Sequence, residues 1–264
     1  MKEMTEAVID SKNLQLKTQN NIENFRSLLD SVCNEVAKRF NLYKKDESPR
    51  KASIIDALSR FTCPGCIYRK LSEKSASSDV DAIYKECHKL AVNILVERLY
   101  QHCLDMGYTV AISTEAELEY GKVDILINVT KYGINLKHYT NELIIELKTG
   151  NSLSLSQIFR YLLDVKGNTI IVWRIRKRQI LVFNIDDLKP LLTEFVLMIY
   201  LRANRLLSSS HFTCEHAPER DYRPTQEDLQ ITIQDFAQSL LETLPHVLSI
   251  TFGKLGLHVQ EVKT

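Results

Sequence analysis

The chain reads as an α/β fold in which helices flank a mixed central sheet and a helical segment stands in front of them. Three observations lead there. Apolar, strand-like runs fall at 108–114, 117–129, 141–149, 168–175 and 179–185. Ahead of them, Ile83, Cys87, Leu90, Ala91, Ile94, Leu95, Leu99 and Cys103 recur at helical spacing and stop near Gly107, which predicts a long amphipathic helix over 80–106. After the third run, Leu155, Ile158, Leu162 and Leu163 repeat that spacing behind Ser154 and Ser156, either of which can cap a helix over 154–165.

The flanks follow the same logic. Ile22, Phe25, Leu28, Leu29, Val32, Val36 and Phe40 lie at helical spacing in a stretch, 4–42, without Pro or Gly. This predicts one or two helices that pack on the core or on a protein partner. The run Lys44-Lys-Asp-Glu-Ser-Pro-Arg-Lys51 reads as a charged linker. A short helix is expected over 52–61 and a Ser-rich loop from Leu71 to Asp79. Beyond the strands, Leu188, Leu191, Leu192, Phe195, Met198, Ile199 and Leu206 form the apolar stripe of a helix over 186–207. A loop (208–224), a helix (225–244) and an apolar tail (247–260) able to add a strand complete the chain. The expected division is an N-terminal appendage and linker (1–50), a core (51–207) and a C-terminal segment packed on it (208–264).

At 264 residues, 44% hydrophobic and 25% charged, the composition is that of a globular protein with one good core and an appendage. No apolar run is long enough to span a bilayer and no basic-then-apolar segment opens the chain, so a soluble, cytoplasmic protein is expected. A formal net charge of +1 excludes a global field for polyanions, so any nucleic-acid contact must come from a local patch. The best patch is Arg174-Ile-Arg176-Lys177-Arg178, which reads either as a solvated hairpin tip or as a phosphate contact.

Six cysteines without a secretory signal argue against a disulfide framework. Cys87 and Cys103 fall on the apolar side of the long helix and read as small core residues. Cys63-Pro-Gly-Cys66 has the form of a metal knuckle, and His211, Cys214 and His216 are its only plausible second half. Together they could hold a structural zinc ion; the reading we prefer is a tight turn with two unmetallated thiols.

The chemistry concentrates in Gly121-Lys-Val-Asp124-Ile-Leu-Ile and Leu143-Ile-Ile-Glu146-Leu147-Lys148-Thr-Gly150. Side chains two apart on a strand share a face, so Glu146 and Lys148 point the same way, and pairing of the two runs brings Asp124 alongside. Half-burying two carboxylates and an ammonium is costly without compensation, and a hard divalent cation is the usual one. The competing reading is an amphipathic hairpin with a surface ion pair. Downstream, Gln157 and Tyr161 are four apart and share a helix face offset from the apolar one, or are simply that helix's polar side. Upstream, the long helix carries Glu86, His88 and Glu97 on its other faces.

Asp, then Glu-x-Lys, then Gln-x-x-x-Tyr, in the order helix–strand–strand–helix, resembles the PD-(D/E)XK nuclease superfamily, and within it the RecB-like exonucleases, CRISPR-associated ones included. The resemblance covers roughly 58–185; Leu58-Ser-Arg-Phe-Thr-Cys63-Pro64 looks like the Cys-Pro element before that core, and Gly121-Lys-Val-Asp124 fits the family's Gly-x-x-Asp form. It implies a restriction-endonuclease-like core and a Mg2+- or Mn2+-dependent deoxyribonuclease that acts on ends or single strands, in DNA repair or antiviral defence. Asp124, Glu146, the Leu147 carbonyl and His88 would be the metal ligands. Lys148 would orient or help deprotonate the attacking water, and Gln157 and Tyr161 would hold the phosphate backbone or steady Lys148. The iron–sulfur cluster of many relatives takes one early and three late cysteines. It is not expected here, where Cys214 is the only cysteine in the C-terminal third. Two alternatives stand beside this reading: a catalytically inactive binding or scaffold subunit of the same fold, and a structure-selective junction endonuclease.

Overall fold

The structure, a computed structural model, describes residues 22–72, 79–132, 138–149, 154–164, 167, 169–213 and 226–257. The described residues fall into two compact units, one within Met1–Glu73 and Leu188–Ala217, the other within Lys74–Asp187 and Pro218–Thr264. They interleave along the chain, where the sequence suggested three consecutive segments. No helix among the described residues is long and apolar enough to cross a membrane.

The first unit is helical. Helix α1 (Ile22–Phe40) buries Phe25, Leu29, Val32 and Val36 of the expected stripe, Cys33 and Ala37 join them, and Ile22, Leu28 and Phe40 are half-buried; positions 4–21 of the expected helical segment lie outside the described residues. The charge run after it is a local turn, closed by a Tyr43–Pro49 bridge and by Asp46, which accepts from the Ser48 amide at 3.1 Å and its hydroxyl at 2.6 Å. Helix α2 (Lys51–Arg60) follows, and then α3 (Pro64–Ser72), which the sequence reading missed. Cys63-Pro-Gly-Cys66 forms the start of α3: Pro64 takes the first helical position, where its missing N–H is no loss, and the Cys63 carbonyl accepts from the Ile67 amide at 3.0 Å.

Most of helix α6 (Ile185–Ser208) belongs to this unit. Leu192, Phe195, Ile199 and Leu206 of its expected stripe are buried and Val196 and Ala203 join them, whereas Leu191 is exposed. Arg202 reaches back to the carbonyls of Leu58 and Ser59 at 2.9 and 2.7 Å, satisfying acceptors that the end of α2 leaves open.

The second unit holds the sheet. Helix α4 (Asp79–Asp105) leads into β1 (Thr109–Glu117), β2 (Lys122–Tyr132) and β3 (His138–Lys148). Helix α5 (Leu155–Asp164), β4 (Thr169–Arg174), a 3-10 turn (Ile175–Lys177) and β5 (Gln179–Asn184) follow, and α7 (Gln226–Leu255) closes the unit. The strand order is β1-β2-β3-β4-β5, with every pair antiparallel except β3 with β4, which α5 connects as a crossover. The sheet is thus mixed, as expected.

Period-two alternation sorts its faces. Ile125, Ile127, Val129, Leu143, Ile145, Leu147, Ile171 and Trp173 form one core with Ala91, Val92, Leu95, Leu99 and Cys103 of α4 and Phe236, Leu240, Val247, Phe252 and Leu255 of α7. Trp173 Nε1 donates to Thr243 Oγ1 at 2.8 Å, so the largest buried ring keeps its polar atom paired. Leu90, expected in the apolar stripe of α4, is 53% exposed. The crossover is tight at Gly167: a Cβ there would stand 2.2 Å from the Glu142 carbonyl oxygen, so only glycine fits.

The tail is a correction. In place of a helix ending at 244 and a strand beyond, α7 continues through Pro245 to Leu255. Val247, Phe252 and Leu255 at helical spacing bury in the common core. That burial outweighs the hydrogen bond and ring clash that an interior proline costs, about 3 kcal/mol. Residues 258–260 of the expected strand lie outside the described ones.

Candidate active site

The ladder between β2 and β3 runs from Tyr132–His138 to Ile125–Ile145. One step further, Asp124 and Glu146 face each other on the sheet surface opposite the core. There the main chains stop pairing, and the Leu147 amide donates to Asp124 Oδ2 at 2.7 Å. The other Asp124 oxygen lies 3.1 Å from Nε2 of His88, half-buried on α4. Glu86 and Glu97, the acidic alternatives on that helix, are exposed.

Glu146 is 2% exposed and is held on every side. Its Oε1 accepts from Lys148 Nζ and from Gln157 Nε2, both at 2.6 Å, and its Oε2 accepts from the Tyr161 hydroxyl at 2.6 Å. Lys148 Nζ also donates to Gln157 Oε1 at 2.7 Å, and Gln157 Nε2 donates to Tyr161 Oη at 2.5 Å. A lysine can only donate and a carboxylate acceptor sits on the other side, so the partners fix the Gln157 amide in one orientation. Tyr161 Oη has one hydrogen and two acceptors in reach, Glu146 Oε2 and the Lys122 carbonyl at 2.9 Å.

Helix α5 positions Gln157 and Tyr161. Ser154 stands at its cap, the Ser154 carbonyl accepting from the Gln157 amide at 3.1 Å. Ile158, Leu162 and Leu163 are buried as expected, but Leu155 is exposed and Tyr161 is wholly buried. Tyr161 is therefore no part of an ordinary polar face; its ring is core and its hydroxyl is the inner end of the network.

The electrostatics follow from this crowding. Burial raises the Glu146 carboxyl above its usual range, the Asp124 charge raises it further, and Lys148 opposes both. The hydrogen bond to Asp124 raises the His88 imidazole, against the effect of its burial. Burial, then Glu146, pushes the Tyr161 hydroxyl well above its ordinary value. As placed, no three His, Cys, Asp or Glu side chains among the described residues are grouped closely enough to hold a metal ion. Glu146 is turned into its lysine, glutamine and tyrosine partners, and both Asp124 oxygens are engaged.

The basic patch is only partly what its sequence suggested. Arg174 lies beside Lys148 in the parallel register of β3 and β4 and donates to Gln179 at 2.8 Å. Arg176 bonds the Tyr84 hydroxyl at 3.0 Å and stands 3.8 Å from Asp235, and Arg178 pairs with Glu242 at 2.7 Å and Asp235 at 3.8 Å. Two of its arginines thus tie the turn to α7, while Lys177 is exposed. None of Cys33, Cys63, Cys66, Cys87 and Cys103 forms a disulfide. Of the zinc partners considered, His211 is exposed, and Cys214 and His216 lie outside the described residues.

Two residues near the site escaped the sequence reading. Lys122 precedes Asp124 by two positions and so shares its face; Glu115 on β1 lies across from Asp124, between the pairs Thr114–Ile125 and Ala116–Val123. The spacing of Lys122 was legible, whereas the place of Glu115 depends on a strand register. Comparison of the chain with protein-family models, with curated proteins and with solved structures finds no match.

Proposed function

We propose that this protein is a metal-dependent deoxyribonuclease that hydrolyses phosphodiester bonds at ends or in single strands, on a PD-(D/E)XK, restriction-endonuclease-like core. The observation that supports it is the closed network Lys148–Glu146–Gln157–Tyr161 set beside Asp124 at the point where β2 and β3 part. Surface ion pairs rarely recruit a buried carboxylate, a buried tyrosine and an amide of fixed orientation.

The donor set suits a hard cation: two carboxylates at facing positions, one of them buried, with an imidazole beside them. Asp124, Glu146, the Leu147 carbonyl and His88 would hold Mg2+ or Mn2+, which when bound supplies charge neutralisation and Lewis-acid polarisation of a phosphoryl oxygen. Lys148 Nζ, fixed between Glu146 Oε1 and Gln157 Oε1, orients the attacking water through its remaining hydrogen. Gln157 and Tyr161 act through their neighbours, as positioning residues that hold Lys148 and Glu146 in register.

A second reading, a catalytically inactive binding or scaffold subunit of the same fold, is favoured by one observation: the site's groups satisfy one another as placed. One assay separates the two. Labelled linear, circular and branched DNA are incubated with the protein in Mg2+, Mn2+ or chelator, and cation-dependent loss of linear or single-stranded substrate is expected. Intact substrates under every condition would favour the scaffold.

A further inference from the structure

We propose that Lys122 is a substrate contact of this site, a phosphate-binding cation kept paired with Glu115 until a phosphodiester displaces that carboxylate; this rests on the nuclease reading above. Lys122 opens β2 on the same face as Asp124. Its main chain is tied to the reaction centre, because its carbonyl lies 2.9 Å from the Tyr161 hydroxyl and competes with Glu146 Oε2 for that hydroxyl's single hydrogen. Its side chain is 47% exposed, with Nζ 2.7 Å from Glu115 Oε2.

Glu115 is 68% exposed and sits on the β1 position facing Asp124 with φ 52, a left-handed backbone that glutamate adopts at some cost. An exposed pair of this kind contributes little to stability, so a polyanion that releases counterions on binding can take the lysine from it. Of the other described cations at this end of the sheet, Lys177 is exposed on the turn and the rest have partners. Lys148 is held by Glu146 and Gln157, Arg174 donates to Gln179, and Arg176 and Arg178 pair with residues of α7. Arg178 too is paired only with exposed carboxylates, but Lys122 is the one that shares both strand and face with Asp124.

The test is binding of a short fluorescent single-stranded DNA by the full chain in chelator, read by anisotropy across a range of NaCl. Lys122→Gln should weaken binding about fivefold at low salt and lower the slope of log K against log salt by about one. Lys122→Arg should restore both, and Glu115→Gln, which releases the lysine, should tighten binding. Unchanged affinity and slope in Lys122→Gln, no rescue by arginine, or no gain from Glu115→Gln overturns the proposal. If the wild-type protein still binds and cleaves DNA, the nuclease reading survives that result. A wild-type protein that neither binds nor cleaves DNA overturns both.

Discussion

Asp124 and Glu146 face each other one step beyond the last regular pair of β2 and β3, and the Asp124 carboxylate itself takes the Leu147 amide at 2.7 Å. A side chain thus replaces a main-chain acceptor at the point where the strands separate. The substitution satisfies the amide and anchors one carboxylate beside another that is buried. Two neighbouring carboxylates disfavour each other's charge; Lys148 and His88 offset this in part, and under the proposed function a divalent cation would offset it further.

Protein stripped in chelator should therefore melt at a higher temperature once Mg2+ or Mn2+ is restored. A ligand at 100 times its Kd adds about 2.7 kcal/mol to folding stability. Asp124→Asn removes the charge but keeps an oxygen for the Leu147 amide, and should lose most of the shift. Scanning calorimetry reads both; a wild-type melt indifferent to divalent cations would count against the metal.

Removing Glu146 or Lys148 should abolish cleavage, with a rate loss on the order of 100-fold or more, since each would act on the reacting groups. Burial adds a second expectation. Glu146→Ala strands Lys148, Gln157 and Tyr161 without their common acceptor and should lower stability, whereas Glu146→Gln keeps the volume and one acceptor. Cleavage rates together with urea unfolding separate these effects, and full activity in purified Glu146→Ala, Glu146→Gln or Lys148→Ala would remove the site assignment.

Tyr161→Phe retains the buried ring and deletes the hydroxyl that joins Glu146, Gln157 and the Lys122 carbonyl. Leaving a buried acceptor and donor unpaired should cost about 1–3 kcal/mol, and looser positioning of Glu146 and Lys148 should slow cleavage about tenfold. Denaturant unfolding that matches wild type within about 0.5 kcal/mol would mean that the hydroxyl is not bonded as placed.

Much of this was legible because strand and helix periods differ. The i, i+2 rule placed Glu146 and Lys148 on one face, and the order of apolar runs located every strand within a few residues, although β2 starts at Lys122 and not at 117. What escaped depends on long-range partners. Tyr161 looked offset from an apolar stripe that includes Leu155, yet the sheet beneath α5 buries Tyr161 and leaves Leu155 exposed. The pairing of Arg176 and Arg178 with α7 was not legible because Asp235 and Glu242 lie far along the chain. Pro245 looked like a stop because sequence alone does not show the core that α7 joins.

Cys33 offers a test in the helical unit that is independent of any activity. It is fully buried in α1, and burial pushes its thiol up to about 12, a little offset by nearby Lys51, while Asp30, paired with that lysine at 2.6 Å, raises it slightly. The folded state thus holds a proton that the unfolded chain releases near its ordinary value of 9.0. A raised folded value means that this contribution to stability is complete below the unfolded value and is lost as pH climbs toward the folded one. Between those two values, wild-type stability should fall by about 1.4 kcal/mol per pH unit more steeply than that of Cys33→Ala, which lacks the group. Urea unfolding of both proteins across that window measures the difference, and parallel pH profiles would show that the thiolate is tolerated where it stands. By the same reasoning, a thiol reagent at neutral pH should modify Cys33 only as fast as the helical unit opens.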